Sequence, residues 1–227
     1  MKTSRKVALA AKRGLDLVGA ACGGLLVSPV LLATSAALLA TQGRPIFFRQ
    51  VRPGLHGGLF SIIKFRTMKA PGPDQVWYLT DEQRLTRIGR FLRRTSLDEL
   101  PELWNVLRGE MSLVGPRPLL VEYLDHYTPD ERRRHDLPPG ITGWAAVNGR
   151  HTLKFRERLA LDVWYVDHWS LWLDLKILAR TVIQVLLHAD VRETQGIEEF
   201  DFPLPATPQA PARPAGGAKD ERSRGAS

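Results

Sequence analysis

Asp98 and Glu99 stand side by side in the stretch Thr95 to Leu120, "TSLDELPELWNVLRGEMSLVGPRPLL", which closes on an arginine held between two prolines. For an isolated acidic pair the first reading is structural. Ser96 and Glu99 have the spacing of a capping box, and Asp98 as an N-cap places Pro101 in the first helical turn, where proline is tolerated. The capping box is the weaker of the two, because Pro101 then falls past the first turn. The neighbouring cations favour chemistry. Arg93 and Arg94 precede the pair, Arg117 follows on a stiff support, and Lys64 and Arg66 lie upstream. Guanidinium forks hold phosphate bidentately, and a backbone fixed by proline on both sides loses less freedom on binding. Among such cations both carboxylates are expected to stay ionised, one free to attack phosphorus and one to hold Mg²⁺. The sequence has no Walker A motif, no GxGxxG, no kinase signature and no Cys/His metal cluster. In a phosphoryl-transfer site, a carboxylate then has to be the nucleophile or the metal ligand.

Charge and length bound what surrounds this pair. The chain has 227 residues, which suits one domain with appendages, and 32 Lys+Arg against 24 Asp+Glu give a net charge of +8. An anionic partner is expected: nucleic acid, phosphorylated small molecules or a lipid surface. The lone cysteine, Cys22, excludes an internal disulfide and points to a reducing compartment.

The elements that must carry the pair follow from the patterning. Residues 1–13 hold Lys2, Arg5, Lys6, Lys12 and Arg13 without an acid, and Leu15 to Ala40 is apolar apart from Asp16. That run is long enough to cross a bilayer, and it is too long for the core of a signal peptide. Ser28-Pro29 lies in its middle, where proline removes a backbone hydrogen bond. Basic residues flank both sides, with Arg44, Arg49 and Arg52 following, so both ends prefer the cytoplasm. A re-entrant hairpin over residues 1–44 satisfies that better than a crossing helix, the alternative being a spanning helix that tolerates its proline.

Residues 46–68 read as a β-hairpin around the Pro53–Gly58 turn cluster. Helical spacing follows over Arg84 to Arg94, then over Glu99 to Gly109, and an acidic-to-basic helical stretch covers 120–135. Residues 171–188 are amphipathic: Leu171, Trp172, Leu175, Leu178, Val182, Val185 and Leu186 share one face, and Asp174, Lys176, Arg180, Thr181, Gln184 and His188 the other. Such a helix either covers a core or lies at a bilayer interface, and the two readings weigh equally here. Residues 196–227 form a Pro/Ala/Gly-rich tail expected to be disordered. The fold class is α+β and mainly helical: a membrane hairpin, a small β-hairpin and a compact catalytic domain over 45–195 with interfacial amphipathic helices.

Several of these segments occur together in one order: "KRGLD", the Ser28-Pro29 break, "KFRTM", "TSLDELPELWNVLRGEMSLVGPRPLL", "PGITGWAAVNGR" and "LDVWYV". In this the chain resembles the bacterial sugar transferases, the monotopic polyprenyl-phosphate phosphoglycosyltransferases, over roughly Lys12 to Val191. The resemblance implies an enzyme of the bacterial cytoplasmic membrane, with its catalytic domain facing the cytoplasm, in the minimal catalytic form of the family. It implies transfer of a sugar 1-phosphate from a UDP-sugar to undecaprenyl phosphate with release of UMP, an early membrane step of glycan assembly. Asp98 matches the nucleophile that attacks the β-phosphorus and carries the phosphosugar covalently, and Glu99 matches its Mg²⁺-binding partner. Lys64, Arg93 and Arg117 match basic residues around the phosphates, with Arg66 beside them in "KFRTM", and Ser28-Pro29 matches the re-entrant break. Residues 70–83 and 140–153 are candidate specificity surfaces. Two alternatives differ in class: a membrane-associated glycosyltransferase releasing UDP, and a non-enzymatic, membrane-tethered anion binder. Base-stacking motifs and nucleic-acid-binding folds are absent from the sequence, so nucleic acid is not an expected partner.

Overall fold

The computed structural model describes residues 2–69, 84–149 and 153–187. The candidate surface at 70–83, residues 150–152 of the other one, and the tail lie outside these. The architecture is mostly helical, with a two-stranded antiparallel sheet and one long apolar helix at the N-terminus.

That helix, α1 (Lys2–Gln42), is long and apolar enough to cross a bilayer. Where two arms of a hairpin are expected, a single helix runs through Pro29. The reason is local. Proline at 29 leaves the Leu25 carbonyl without its i+4 donor, and the Ser28 hydroxyl donates to that carbonyl at 2.8 Å.

Both halves of α1 pack on the same body of the protein. In the first half, Lys12 Nζ donates to Val114 O (2.9 Å) and to Asp174 Oδ2 (2.7 Å). Arg13 donates to the carbonyls of Val106 and Leu107, and Asp16 Oδ1 accepts from Ser112 Oγ and Leu113 N. In the second half, Leu38 is buried against Phe65 and Leu92, and Gln42 Nε2 donates to Thr86 Oγ1 at 3.0 Å. Between the two docks the helix stands clear of the protein: Leu25 and Leu26 are 78% and 81% exposed.

Strands β1 (Phe47–Pro53) and β2 (Leu59–Phe65) pair antiparallel from Phe47↔Phe65 to Pro53↔Leu59, as the patterning predicts. Helix α2 (Arg87–Arg94) starts at Thr86, whose hydroxyl accepts from Gly89 N. Gly89 is required by contact, since a Cβ there would lie 1.9 Å from Thr67 O. This brings the first turn of α2 against Thr67, just past the end of the hairpin. A 3₁₀ turn (Leu97–Glu99) and α3 (Glu102–Arg108) follow, and α3 ends at Gly109 in the left-handed region, φ 84°.

The "SLVGP" and "PGITG" segments meet as a short parallel pair, β3 (Ser112–Val114) with β4 (Gly140–Thr142). Gly115, Gly140 and Gly143 lie so close there that a Cβ on Gly115 would be 2.2 Å from Pro138 O. In place of the single helix expected over 120–135, the crossover contains a 3₁₀ turn (Val121–His126), α4 (Pro129–Arg132) and a second 3₁₀ turn (Arg133–Asp136). Thr128 and Glu131 form the capping box of α4. Helices α5 (Trp144–Val147), α6 (Phe155–His168) and α7 (Leu171–Leu187) complete the body around Val114, Leu137, Tyr165, Val166, Leu173 and Ile177.

Helix α7 turns its faces the unusual way round. Asp174 is buried, accepting from Lys12, Tyr165 and Trp169, while Thr181 and Gln184 bond to Thr142 and Val147 O. Trp172 (76% exposed), Leu175, Val182 and Ile183 point outward. Leu173 and Ile177 of the same helix are buried in the core, so α7 both covers the core and presents a second apolar face outward.

Candidate active site

The acidic pair is presented by a strained reversal of the chain. Ser96, a non-glycine residue at φ 55°, turns the backbone out of α2 and into the 3₁₀ turn that carries Asp98 and Glu99. Neither capping reading holds. Ser96 makes no side-chain cap bond, and the N-cap of α3 is Pro101, which has no side chain able to cap. The backbone turns at Ser96 and Pro101 without help from the acids, leaving them to other partners.

Those partners are the expected cations. Glu99 Oε1 accepts from Lys64 Nζ at 2.7 Å and from Arg117 Nη2 at 2.6 Å, so a strand of the hairpin and the Pro116-Arg117-Pro118 segment converge on one carboxylate oxygen. Arg93, in the last turn of α2, donates from Nε to Thr67 Oγ1. Lys64, Arg93 and Arg117 all act electrostatically on Asp98. Arg66 bonds elsewhere. Its guanidinium donates to Gln42 O and Gly43 O and holds the C-terminal end of α1, from a position just past the end of β2.

The electrostatics differ from the expectation of two plainly ionised acids. Burial, followed by the charge of Glu99, pushes Asp98 up from its ordinary range to about 6, against the pull of Lys64, Arg93 and Arg117. Desolvation outweighs the cations. Asp98 is still mostly a carboxylate above neutral pH, and a desolvated carboxylate is a better nucleophile than one tied into ion pairs. Arg117 is held above its ordinary value, chiefly by Glu99.

A third carboxylate completes the site. Glu102, 2% exposed in the first turn of α3, lies 3.1 Å from Lys64 Nζ, and burial raises it to about 7. Its spacing from Asp98 (i+4) and Glu99 (i+3) puts all three acids on one side of the turn, a signal that was available in "DELPE". Arg52 on β1 also belongs here. Burial and then the nearby charge of Arg117 lower it to about 10.

The three carboxylates grouped at this turn are oxygen ligands of the kind a hard divalent cation takes. Glu102 Oε1 is buried 3.1 Å from Lys64 Nζ, and Asp98 and Glu102 both shift in the direction that extra positive charge would reverse. Among the described residues no three Asp, Glu, His or Cys side chains form a metal-binding group. A cation here could be held by one or two of these carboxylates, with its remaining ligands coming from outside the protein.

Beside the acids lies an apolar groove of about 430 Å³ between the second half of α1 and α2, lined by Pro29, Val30, Thr34, Ile88, Phe91 and Leu97. It runs from the proline of α1 to the residue immediately before Asp98.

With this geometry in view, sequence comparison decides the family. The family description "Bacterial sugar transferase" matches residues 7–188. The chain is a bacterial sugar transferase. Among its relatives in this family, the Bacillus subtilis (strain 168) protein EpsL, named an uncharacterized sugar transferase, is 50% identical over 84% of this chain and 95% of its own length. A UDP-glucose:undecaprenyl-phosphate glucose-1-phosphate transferase of Caulobacter vibrioides is 45% identical over 77% of this chain and 69% of its own. The Escherichia coli (strain K12) protein of the same name is 43% identical over 76% of this chain, but only 39% of its own length is matched. As a bacterial sugar transferase, the chain places Asp98, Glu99 and their cations well inside the matched segment.

Proposed function

We propose that the protein transfers a sugar 1-phosphate from a UDP-sugar to undecaprenyl phosphate, releasing UMP through a phosphosugar carried on Asp98. The observation that carries this reading is the convergence of Lys64 and Arg117 on Glu99, directly beside a half-buried Asp98 on which the same cations act. The names of the Caulobacter and Escherichia coli relatives supply the substrate pair.

In this mechanism the diphosphate of the donor lies between Arg93, Arg117 and Lys64, whose charges offset the charge on the transferring phosphoryl group. Asp98 attacks the β-phosphorus, the bond from phosphorus to the bridging oxygen breaks, and UMP leaves with that electron pair. The lipid phosphate oxygen then attacks the same phosphorus and frees the Asp98 carboxylate. A covalent intermediate lets a soluble nucleotide and a bulky lipid use one site in turn. Glu99, shared with Lys64 and Arg117, is the residue that would hold Mg²⁺, which would supply further charge neutralisation at the phosphates.

The membrane placement belongs to the same reading. α1 docks on one body by both halves and exposes Leu25 and Leu26 between them, so we read it as re-entrant, with its ends and the catalytic domain on the cytoplasmic side. Each half, about 13 apolar residues or roughly 20 Å, is too short to cross ~30 Å of hydrocarbon. The outward face of α7 rests at the bilayer interface, and the groove from Pro29 to Leu97 gives a lipid chain a path toward Asp98.

The test is the nucleotide released. Purified protein with a UDP-sugar alone should release UMP to about one equivalent, and continuous turnover should need undecaprenyl phosphate. Release of UDP would establish the glycosyltransferase alternative instead.

A further inference from the structure

Arg117 comes from a segment with no helix or strand of its own, yet its guanidinium has to meet Glu99 within hydrogen-bond distance. Two consecutive carbonyls of that segment are held from behind. Gly140 N donates to Pro116 O at 3.0 Å, so the first residue of β4 also holds the chain just past β3. Arg134 Nη2 donates to Arg117 O at 2.7 Å.

Arg134 is itself an unusual residue. It is 1% exposed, the largest fully buried side chain among the described residues, although it closes a run of three arginines that reads as a solvated surface. Its Nε and Nη2 both donate to Asp162 Oδ2 (3.1 and 2.5 Å), and Nη1 donates to the Tyr127 hydroxyl at 3.3 Å. Asp162 is 2% exposed and lies on α6, the helix behind the site. A buried ion pair is weak support for stability, since apolar residues of similar volume often serve as well. Its geometry here serves another end. The planar fork reaches a carboxylate, a hydroxyl and a main-chain carbonyl at once, which lysine cannot do.

We infer that Arg134 and Asp162 are positioning residues of the transfer reaction: the buried pair fixes the main chain of Arg117 and thereby aims its guanidinium at Glu99 and the donor phosphates. Arg134 touches no substrate in this scheme. It acts through Arg117, and a shift of about 1 Å in a positioned group can cost about 10²-fold in rate. The inference rests on the reading of Arg117 as a phosphate-binding residue.

A double-mutant cycle on kcat/KM for the UDP-sugar tests it, using the full chain with undecaprenyl phosphate in detergent. The Arg134→Met/Asp162→Leu protein replaces the pair by apolar residues and is expected to melt close to wild type while losing about 10- to 100-fold in rate. Arg134→Lys, which keeps the charge, is expected to lose about tenfold and carries the cycle if the double variant does not fold. Arg117→Ala loses roughly 10²- to 10³-fold. In the Arg117→Ala background, either Arg134 change should cost less than threefold further, because the group it aims is gone. Equal losses in both backgrounds would show that the pair acts on general stability or on another group, and would overturn the inference. A wild-type protein that releases no UMP would sink the reaction itself, so the two failures are distinguishable.

Discussion

The Ser28 hydroxyl lies 2.8 Å from the Leu25 carbonyl, the one backbone acceptor that Pro29 deprives of a helical donor. In hydrocarbon an unsatisfied carbonyl costs several kcal/mol, so serine and proline act here as one unit. The helix can then bend or tilt at this point at depth without exposing a bare backbone group.

A topology experiment follows from this pair. Cysteines introduced as Thr3→Cys or Lys69→Cys in a Cys22→Ser background should both resist an impermeant thiol reagent on intact cells. Combining Ser28→Ala with Pro29→Leu restores a regular helix, and Thr3→Cys should then become labelled. Labelling of Thr3→Cys without those changes, with Lys69→Cys protected, would mean that α1 spans the membrane.

Asp98 should impose an acid limb on activity. As its carboxyl is pushed up to about 6, UMP release should fall about tenfold per pH unit below that value and level off above it. The same shift has an opposite sign for stability. A folded-state value above the ordinary 3.8 means that the native protein binds the proton more tightly than the unfolded chain does. The stabilisation is therefore fully present below 3.8 and lost as pH rises through about 6. Asp98→Asn should abolish turnover yet melt higher than wild type at pH 8, by about 1–2 kcal/mol, with the two curves converging near pH 4. More than a few per cent residual activity would remove Asp98 from the nucleophile's role.

Glu99 and Glu102 should separate cleanly. Glu99→Gln leaves Lys64 and Arg117 without their shared carboxylate and should lower the rate by roughly two to four orders of magnitude, with altered Mg²⁺ dependence. Glu102 is raised to about 7, so Glu102→Gln resembles its protonated form and should cost no more than about tenfold. A steady-state Mg²⁺ titration of both variants checks this. Equal losses would place the two acids in one role.

Arg66 provides the control among the cations. Because its guanidinium caps the end of α1, Arg66→Ala should lose about 1–2 kcal/mol of stability while KM for the UDP-sugar stays within about twofold of wild type. A large rise in KM with unchanged melting would return Arg66 to the phosphate site.

The hairpin, α2, α3 and α7 were legible because each obeys a local period or carries its own turn residues. Lys64 and Arg117, singled out by type and spacing, meet on Glu99, and Arg93 lies near enough to act on Asp98. Arg66 shares the sequence neighbourhood of Lys64, but it lies past the end of β2, where the carbonyls of Gln42 and Gly43 take its guanidinium. Arg134 was missed because three arginines in a row look alike until an aspartate 28 residues away selects one of them. At 120–135 the charge patterning looks helical, but Thr128-Pro129 and its capping box with Glu131 restart the chain mid-run and break it into short turns. Glu102 is the exception: its spacing gave the signal, and the pairing of its neighbours drew attention away.

The bond between Lys12 and Asp174 joins residues 162 positions apart in the chain. At roughly 5–20 residues per second, a ribosome needs about 8–30 s to make that stretch. If α1 enters the bilayer as proposed, it does so well before Asp174 has been synthesised, and in the interval Lys12 has only Asp16, 3.9 Å away on the same helix, as a counter-charge. On that reading membrane entry comes first and closure of the body second. A chain terminated before Asp174 would then lack the carboxylate that locks α1 to the rest of the body.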